Sequence, residues 1–337
     1  MNPIWKNFLR SEQADVETDA QISFPANADG HKPRIYALAH LAVLTISGND
    51  AANLLQGQIS CNIRDLSETQ SSLGALCNPK GRAIATFLLI KTDDIFLMVL
   101  PVELLATVKK RLGMYILRSD VLLTDSSDSL CVLGWKPPSA QLSDDEALFS
   151  TLPQVPLSIN LGQRRLLVAR PETAIAWWTE QTRHGCLATS SAQWRYLDII
   201  AGLPWLTTAT SEAFIPQMLN LDKLGGISFT KGCYTGQEII ARTHYLGKAK
   251  RAMFLAECQT PEMPAPNTVI FDDSLPDSSQ PAETPEQDQA AGRVLLAAQQ
   301  DGICKMLIVI PISETGTYQL KLADQHKLAL LALPYSI

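Results

Sequence analysis

The most distinctive stretch of the chain is F-I-P-Q-M-L-N-L-D-K-L-G-G-I-S-F-T-K-G-C-Y-T-G-Q-E-I-I-A-R, Phe214–Arg242. In it, Cys233 lies between Gly232 and Gly236, two residues after Lys231, and precedes an apolar run that predicts a helix from about Gly236. A nearby lysine and a helix N-terminus both favour a thiolate, and glycines let backbone N–H groups approach a ligand. The same pattern suits a tight turn around an inert buried thiol. The segment alone leaves both interpretations open.

A basic run follows directly, since residues 239–251 contain no acidic side chain. Such a cluster is suited to hold a phosphate, a polycarboxylate tail or an RNA backbone, although a solvated surface stripe is the alternative. Neither the P-loop pattern nor G-x-G-x-x-G occurs here, so nucleotide hydrolysis is not predicted. The basic residues of the run are Arg242, His244, Lys248, Lys250 and Arg251.

Composition predicts a globular protein of two or three domains. The 337 residues are 46% hydrophobic and 18% charged, which provides ample apolar surface to bury. The net charge of −6 argues against a surface that binds nucleic acid throughout, so any RNA contact has to be local. Residues 1–20 have no uninterrupted apolar core and predict a frayed leader rather than a secretory signal. No stretch predicts a membrane span, and we expect a cytoplasmic protein.

The cysteines and histidines predict no metal site. The seven cysteines are scattered without a C-x-x-C pair, which is typical of reduced thiols in a cytosolic protein. The five histidines are dispersed, and none pairs with a carboxylate at ligand spacing. Trp194 could stack on a flat heterocycle, but a tryptophan at helical spacing is more often a core residue than a cofactor platform.

Hydrophobic periodicity predicts an α+β organisation in the first two thirds of the chain. A buried strand at 40–47 leads into a helix, and a hairpin turns at Asn78–Arg82. A helix covers Val102–Gly113, and further helices are predicted at 171–184 and after Ser191.

Beyond Arg251 the pattern changes to short strands, which predict a small barrel. The segment 260–290 is rich in proline and acidic residues and predicts a solvated loop. The strands are predicted at Ala252–Glu257, Arg293–Ala298, Ile303–Ile310, Tyr318–Leu322 and Lys327–Leu333.

The segment Phe214–Arg242 closely resembles the signature of the YgfZ family of folate-binding, tRNA-modifying proteins, which are paralogues of the glycine-cleavage T-protein, an aminomethyltransferase. Three other stretches resemble the family in the same order: S-G-N-D-A-A-N-L-L-Q-G-Q-I-S at Ser47–Ser60, C-N-P-K-G-R at Cys77–Arg82, and Q-W-R-Y-L-D-I-I-A-G-L-P at Gln193–Pro204. The resemblance implies an α+β, three-domain aminomethyltransferase-like fold around a central folate site, with a C-terminal β-barrel.

The implied domain boundaries divide the chain into three parts. A discontinuous folate-site domain comprises residues 1–50 and 120–245, and a ferredoxin-like α+β domain comprises residues 51–119. Residues 246–337 form the barrel domain, which includes the acidic, proline-rich loop 260–290.

The resemblance also implies functional residues. Cys233 matches the signature cysteine and Lys231 the lysine beside it, so these two are expected to carry any chemistry. Trp194 matches a tryptophan that contacts folate. The remaining residues expected to bind the folate cofactor are Leu41, Asp198, Gly232, Tyr234, Gln237, Glu238 and Arg242.

Two positions depart from the T-protein-like pattern. Ile200 lies where that pattern has a glutamate suited to hold the pterin edge, and Leu41 lies where a second aromatic residue is expected. A pterin amidine without a carboxylate loses a charge-assisted hydrogen-bonded pair. Either Asp198 or another acid therefore replaces the glutamate, or folate binds weakly.

We accordingly expect a monomeric protein that binds tetrahydrofolate or a folate derivative and supports the maintenance of iron–sulfur enzymes, including those that thiolate tRNA. Those enzymes are the expected partners, with a tRNA contact through the 239–251 run and no membrane partner. One alternative is a tetrahydrofolate-dependent aminomethyltransferase acting on a lipoyl carrier. Another is a non-catalytic scaffold that presents the basic run to tRNA or to a partner enzyme.

Overall fold

The computed structural model describes most of the chain. Lys248 of the basic run and residues 274–289 of the expected loop lie outside the described residues. The described residues are 1–18, 21–25, 32–67, 70–138, 157–161, 164–247, 249–273, 290–312 and 318–337.

Helices and strands are mixed along the described chain, which confirms the α+β class. The helices are α1 Pro3–Ser11, α2 Ala51–Gln58, α3 Val102–Gly113, α4 Pro171–Arg183, α5 Ser191–Ile200 and α6 Gln237–Tyr245. The strands of the first two thirds are β1 Asp15–Thr18, β2 Gln21–Ser23, β3 Arg34–Ala37, β4 Leu41–Ser47, β5 Ser72–Cys77, β6 Ala83–Thr92, β7 Ile95–Pro101, β8 Leu122–Asp125, β9 Cys131–Lys136, β10 Leu157–Asn160, β11 Arg165–Ala169 and β12 Leu187–Thr189. The last third contains β13 Arg251–Gln259, β14 Val269–Asp272, β15 Ala290–Gln300, β16 Ile303–Pro311, β17 Leu320–Lys321 and β18 Ala329–Leu331.

The chain divides into two compact units. Unit 1 comprises Met1–Ala51, Asp65–Ser71 and Leu89–Trp194, and unit 2 comprises Ala52–Arg64, Ser72–Leu88 and Arg195–Ile337. The three domain boundaries drawn from the sequence stay a prediction. No helix among the described residues is long and apolar enough to cross a membrane.

Unit 1 is built around a five-stranded sheet in the order β10-β11-β9-β3-β12. Only β12 runs parallel to its neighbour in the described part of this sheet, and the other pairs are antiparallel. One face of the sheet packs on α1 and α4 through apolar side chains that alternate along the strands. Strand β4 pairs with β7 and β8 in a further antiparallel group.

The first helix corrects the expectation of a frayed leader. Asn2 caps α1 by accepting hydrogen bonds from the backbone N–H groups of Ile4 and Trp5, at 2.8 and 3.1 Å. Trp5 and Leu9 lie one turn apart on one face and are buried, and the Trp5 ring meets Trp178 of α4 edge to face at 5.6 Å. The Asn2 cap and the buried face of Trp5 and Leu9 both stabilise this helix.

Unit 2 ends in a six-stranded sheet in the order β17-β14-β15-β16-β13-β18. Its two edge strands follow each other in the chain, and the N–H of Leu328 donates to the carbonyl of Leu320 at 2.9 Å. The sheet therefore curls into a half-barrel, in agreement with the predicted C-terminal barrel. Strand β14 lies inside the segment expected to be a loop, because Ile270 points into the barrel core and is buried.

Candidate functional site

The loop that carries Cys233 is held by the segment just after α2. The ammonium of Lys231 donates to the carbonyl oxygens of Ile59 and Cys61, both at 2.8 Å, and the side chain is only 9% exposed. The residues at the end of a helix leave carbonyl groups without a partner in the helix, and a lysine is well suited to satisfy such groups. Lys231 therefore anchors the loop to residues 59–61.

Ser60 makes a second connection between the same two segments. Its buried hydroxyl donates to the carbonyl of Gly226 at 2.6 Å and accepts from the N–H of Ala75 at 2.8 Å. Its own carbonyl accepts from the N–H of Ser228 at 2.9 Å. Because both the hydroxyl and the carbonyl are used, this one residue joins the signature segment to the hairpin strand β5.

Gly236 places the hairpin turn against the start of α6. Its φ of 83° is in the left-handed region, and a Cβ there would lie 2.5 Å from the carbonyl oxygen of Asn78. Gly81 of the turn is in the same situation, with φ 71° and a Cβ that would lie 2.8 Å from the side chain of Ile239. Only glycine fits at both positions. The hairpin turn Cys77–Arg82 and the signature segment therefore pack directly against each other.

Two amides fix the first part of the signature. The Gln217 side chain donates to the carbonyl of Ile240 in α6 at 2.6 Å. Asn220 donates to the carbonyl of Met253 at 2.8 Å and accepts from its N–H at 3.3 Å, which joins the signature to β13. The side chains of Gln217, Asn220 and Lys231 therefore connect Phe214–Arg242 to other parts of unit 2.

Cys233 differs from the other cysteines because it is exposed, whereas the remaining six are buried. All seven lie among the described residues. Burial raises the pKa of Cys77, Cys131 and Cys304 to about 12 and that of Cys186 to about 11. A thiol in such surroundings is a poor nucleophile and a poor metal ligand. Cys233 is therefore the cysteine that a partner or reagent can reach.

Burial lowers the pKa of Lys231. Desolvation lowers its pKa to about 8, because an ammonium is less stable away from water, and the nearby Cys61 opposes the shift. The ammonium also lies 5.0 Å from the ring centroid of Tyr234, a cation–π distance. Among the described residues its hydrogen bonds go to carbonyl oxygens and not to Cys233. The role of Lys231 in holding a thiolate stays a prediction.

The other predicted residues of the loop lie close by in sequence and structure. Tyr234 is buried, and desolvation raises its pKa above the ordinary tyrosine value. Its carbonyl accepts from the N–H of Gln237 at 3.1 Å, which starts α6. Gly232 is exposed, and a Cβ there would meet nothing within 4 Å. Glu238 and Arg242 are exposed on α6.

Trp194, the predicted folate contact, lies fully buried in unit 1. Its six-membered ring covers Gly134, where a Cβ would lie 2.5 Å from the ring. Tyr36 meets the ring at 5.1 Å between centroids, and the guanidinium carbon of Arg164 lies 4.5 Å from its centroid. Sequence reasoning missed Tyr36 and Arg164, because neither stands near the tryptophan in the chain.

Asp198, the acid considered as a substitute at the pterin position, is buried in unit 2. One of its carboxylate oxygens accepts from the indole N–H of Trp205 at 3.0 Å, and its carbonyl accepts from the N–H of Leu203. The carboxylate thus closes the turn that follows α5. Ile200, two residues later, is half-buried and has no side-chain polar atom.

Leu41 lies at the start of β4 and is buried. It lines a cavity of about 170 Å³ in unit 1, together with apolar groups that include Trp5 and Cys131. Trp194 is not among the lining residues that the structure describes. The predicted residues are therefore divided between the units. Leu41 and Trp194 belong to unit 1. The others belong to unit 2, where Lys231, Gly232, Cys233 and Tyr234 form one loop, Gln237, Glu238 and Arg242 lie on α6, and Asp198 lies on α5.

Comparisons with known proteins agree with this architecture. The chain is 29% identical over 338 residues to the tRNA-modifying protein YgfZ of Colwellia psychrerythraea, with 96% of this chain and 98% of that protein covered. It is thus a relative of that protein along nearly its whole length, which confirms the resemblance. No family model matches the chain.

A solved structure confirms the fold. The glycine cleavage system aminomethyltransferase T of Bartonella henselae superposes with a TM-score of 0.71, covering 99% of this chain and 97% of that one. The sequence identity is 13%, so the likeness is one of fold. The predicted aminomethyltransferase-like α+β fold is therefore confirmed.

Proposed function

We propose that this relative of the YgfZ protein supports tRNA modification in the cytoplasm by helping to maintain iron–sulfur enzymes, with Cys233 as its working thiol. The observation that carries the proposal is the exposure of Cys233 on a fixed loop. Lys231 anchors the loop before the cysteine, and Thr235 anchors it after, through bonds of 3.2 and 2.9 Å to Gly57 and Gln58. A partner that meets an ordered thiol does not have to order the loop first.

Cys233 provides one sulfur ligand, whereas iron–sulfur clusters are held by several. The described residues contain no group of three or more side chains arranged to hold a metal ion. A cluster, as cargo, would therefore need further ligands from a client. We accordingly propose iron–sulfur enzymes of tRNA modification as partners, and Cys233 as the contact with their clusters.

The thiol is tested by Cys233→Ser in cells that lack the wild-type copy. We expect thiolated nucleosides in tRNA, measured by mass spectrometry, to fall to the level of cells without the protein. Thr230→Ala is the matched control, because Thr230 is exposed in the same loop and should retain the wild-type level. Unchanged thiolation with Cys233→Ser would remove the thiol from the proposal.

The fold family implies a folate ligand, but the expected pterin contacts do not fit tight recognition. Trp194 is fully buried against other protein groups, and Asp198 already accepts a hydrogen bond from Trp205. Ile200 cannot replace the missing carboxylate. We therefore propose that tetrahydrofolate or a folate derivative binds weakly, and the proposed function includes no reaction on it.

Calorimetric titration with tetrahydrofolate tests this proposal. We expect a Kd of about 0.1 mM, weaker than for tight recognition, since a bound pterin without its carboxylate partner loses about one charge-assisted pair. Failure to saturate at millimolar ligand would remove folate from the function. A Kd near 1 μM would instead mean that the buried groups rearrange around the ligand.

A one-carbon transferase remains the second candidate, and the T-protein-like fold favours it. Ile200 counts against it, because the acid expected to hold the pterin is missing. Formation of methylene-tetrahydrofolate from an aminomethyl-lipoyl carrier would establish this activity. Its absence at saturating carrier and folate would leave the accessory function.

We also propose that tRNA contacts the protein through the basic run 239–251. Arg242, His244 and Lys250 are exposed, while the protein as a whole carries a net charge of −6. Binding through phosphates should weaken steeply as salt increases, because bound counterions are released. Binding that is insensitive to salt would indicate a protein partner for this surface.

A further inference from the structure

Three aromatic rings cluster at the C-terminal end of α6. The rings of Phe229 and His244 stack at 3.7 Å between centroids, with 13° between their planes. Tyr245 meets His244 edge to face at 4.7 Å and Phe229 at 6.3 Å. The Tyr245 hydroxyl donates to the carbonyl of Phe229 at 3.4 Å, a long hydrogen bond. The cluster is thus ordered by ring packing rather than by strong polar contacts.

The cluster lies at the surface instead of in the core. Tyr245 is 64% exposed and the following Leu246 is 84% exposed. His244 is also exposed. Aromatic residues that remain exposed while ordered by neighbouring rings are typical of contact surfaces, because their large faces lose little conformational freedom on binding.

Two exposed cations flank these rings in the sequence. Arg242 lies on the same helix, and Lys250 follows it, both exposed. Neither they nor Arg251 form a salt bridge with any residue that the structure describes. These cations remain available to an anionic partner. We call the surface formed by Phe229, Arg242, His244, Tyr245 and Lys250 the aromatic–basic patch.

We propose that the aromatic–basic patch binds unpaired nucleotides of RNA, with a base stacked on the exposed ring of Tyr245 and the backbone phosphates near Arg242 and Lys250. The inference deepens the tRNA contact of the proposed function and rests on it. Unpaired RNA presents flat bases and regularly spaced phosphates, and proteins recognise it by aromatic stacking within a basic groove. The carboxylates of an acidic protein segment match only the cations, whereas a nucleotide offers a phosphate to the cations and a flat base to the rings.

The test is fluorescence anisotropy with two probes, a short labelled single-stranded RNA of mixed sequence and a duplex of the same length. We expect the whole protein to prefer the single strand, because duplex bases are not free to stack. Tyr245→Ala should weaken single-strand binding about tenfold, while Tyr245→Phe, which keeps the ring, should retain it. Lys250→Ala should weaken binding to all sequences and reduce the salt dependence by about one phosphate contact.

Tyr115→Ala is the matched control, since Tyr115 is an exposed tyrosine outside the patch and should not affect binding. Thermal unfolding shows whether each variant is folded. Equal affinity of Tyr245→Ala and the wild type, or no single-strand binding at low salt, would overturn the inference and leave the patch to a protein partner.

The outcomes separate this inference from the proposed function. If Cys233→Ser abolishes tRNA thiolation but Tyr245→Ala binds RNA normally, the proposed RNA binding by the aromatic–basic patch is wrong and the proposed role of the Cys233 thiol stands. If Tyr245→Ala loses RNA binding while Cys233→Ser leaves thiolation intact, the patch stands and the thiol function is wrong.

Discussion

The signature segment, Phe214–Arg242, and the tryptophan segment, Gln193–Pro204, use their distinctive side chains in opposite ways. In the signature, polar groups such as Lys231 hold a loop in place and leave Cys233 exposed. In the tryptophan segment, the buried ring of Trp194 packs over Gly134, and the buried carboxylate of Asp198 accepts a hydrogen bond from Trp205. Resemblance to a functional motif therefore marks residues that build a site as well as residues that meet a ligand.

The comparison is tested most strongly by thiol labelling. Cys233 should react with a thiol reagent at least about 100-fold faster than the other cysteines, because a buried thiol reacts only after local opening. Mass spectrometry of the folded protein should show one fast site, absent in Cys233→Ser. All seven thiols should react in denaturant. A second thiol that reacts as fast would mean that Cys233 is not more accessible than the cysteines described as buried.

The tryptophan segment is tested by Trp194→Ala. We expect a loss of about 3–5 kcal/mol in the free energy of unfolding, because a fully buried indole leaves a large cavity over Gly134. Trp194→Phe should cost less, since a ring still covers the glycine. Urea denaturation measures both. A loss below about 1 kcal/mol for the alanine variant would indicate a ring kept for a ligand rather than for packing.

The signature segment contains a matched pair of glycines. Gly236→Ala should destabilise the protein by about 2–4 kcal/mol, because its backbone is left-handed and the new Cβ would lie 2.5 Å from the Asn78 carbonyl oxygen. Gly232→Ala should change stability by less than about 1 kcal/mol, since its Cβ meets nothing within 4 Å. Thermal unfolding of the two variants checks this. Equal effects would mean that the loop does not depend on its contact with the hairpin.

Local sequence patterns predicted the helices that depend on residues close to one another in the chain. Helix α3 has the predicted bounds, Val102–Gly113, because its apolar residues repeat at helical spacing. The helix after Gly236 was predicted from a glycine followed by an apolar run and is confirmed as α6. Among the elements that the sequence does not predict, α1 lies in a segment without an uninterrupted apolar core, and β14 lies in a segment whose composition suits a loop.

The candidate site was predictable in its residue types but not in their partners. Lys231 beside Cys233 suggested an effect on the thiol, whereas the fold provides carbonyls at Ile59 and Cys61, about 170 residues away. Ser60 ends a stretch that resembles the family, yet nothing in the sequence indicates that its hydroxyl bonds to Gly226 and Ala75. Which groups a buried side chain meets is decided by tertiary packing, and sequence spacing does not contain that information.

The smallest predicted effect is the pH dependence of the contribution that Lys231 makes to the free energy of unfolding. Its pKa is about 8 in the folded protein and near 10.5 in the unfolded chain, so unfolding takes up a proton between these values. The cost of burying the charged amine is therefore fully present below pH 8 and disappears as the pH rises toward 10.5. Stability relative to Lys231→Met should rise over this window by at most about 3 kcal/mol. Urea midpoints from pH 7 to pH 10 measure it.

The comparison with Lys231→Met is needed because other groups titrate in the same range. Burial raises the pKa of Cys77 and Cys304 to about 12, so above about pH 9 these thiols ionise in the unfolded chain but not in the fold, and the fold loses stability. That loss is common to both proteins and cancels in the difference. A neutral amine still has two N–H groups for Ile59 and Cys61, so the anchor survives deprotonation. A difference that stays flat with pH would mean that the amine keeps its ordinary pKa despite burial.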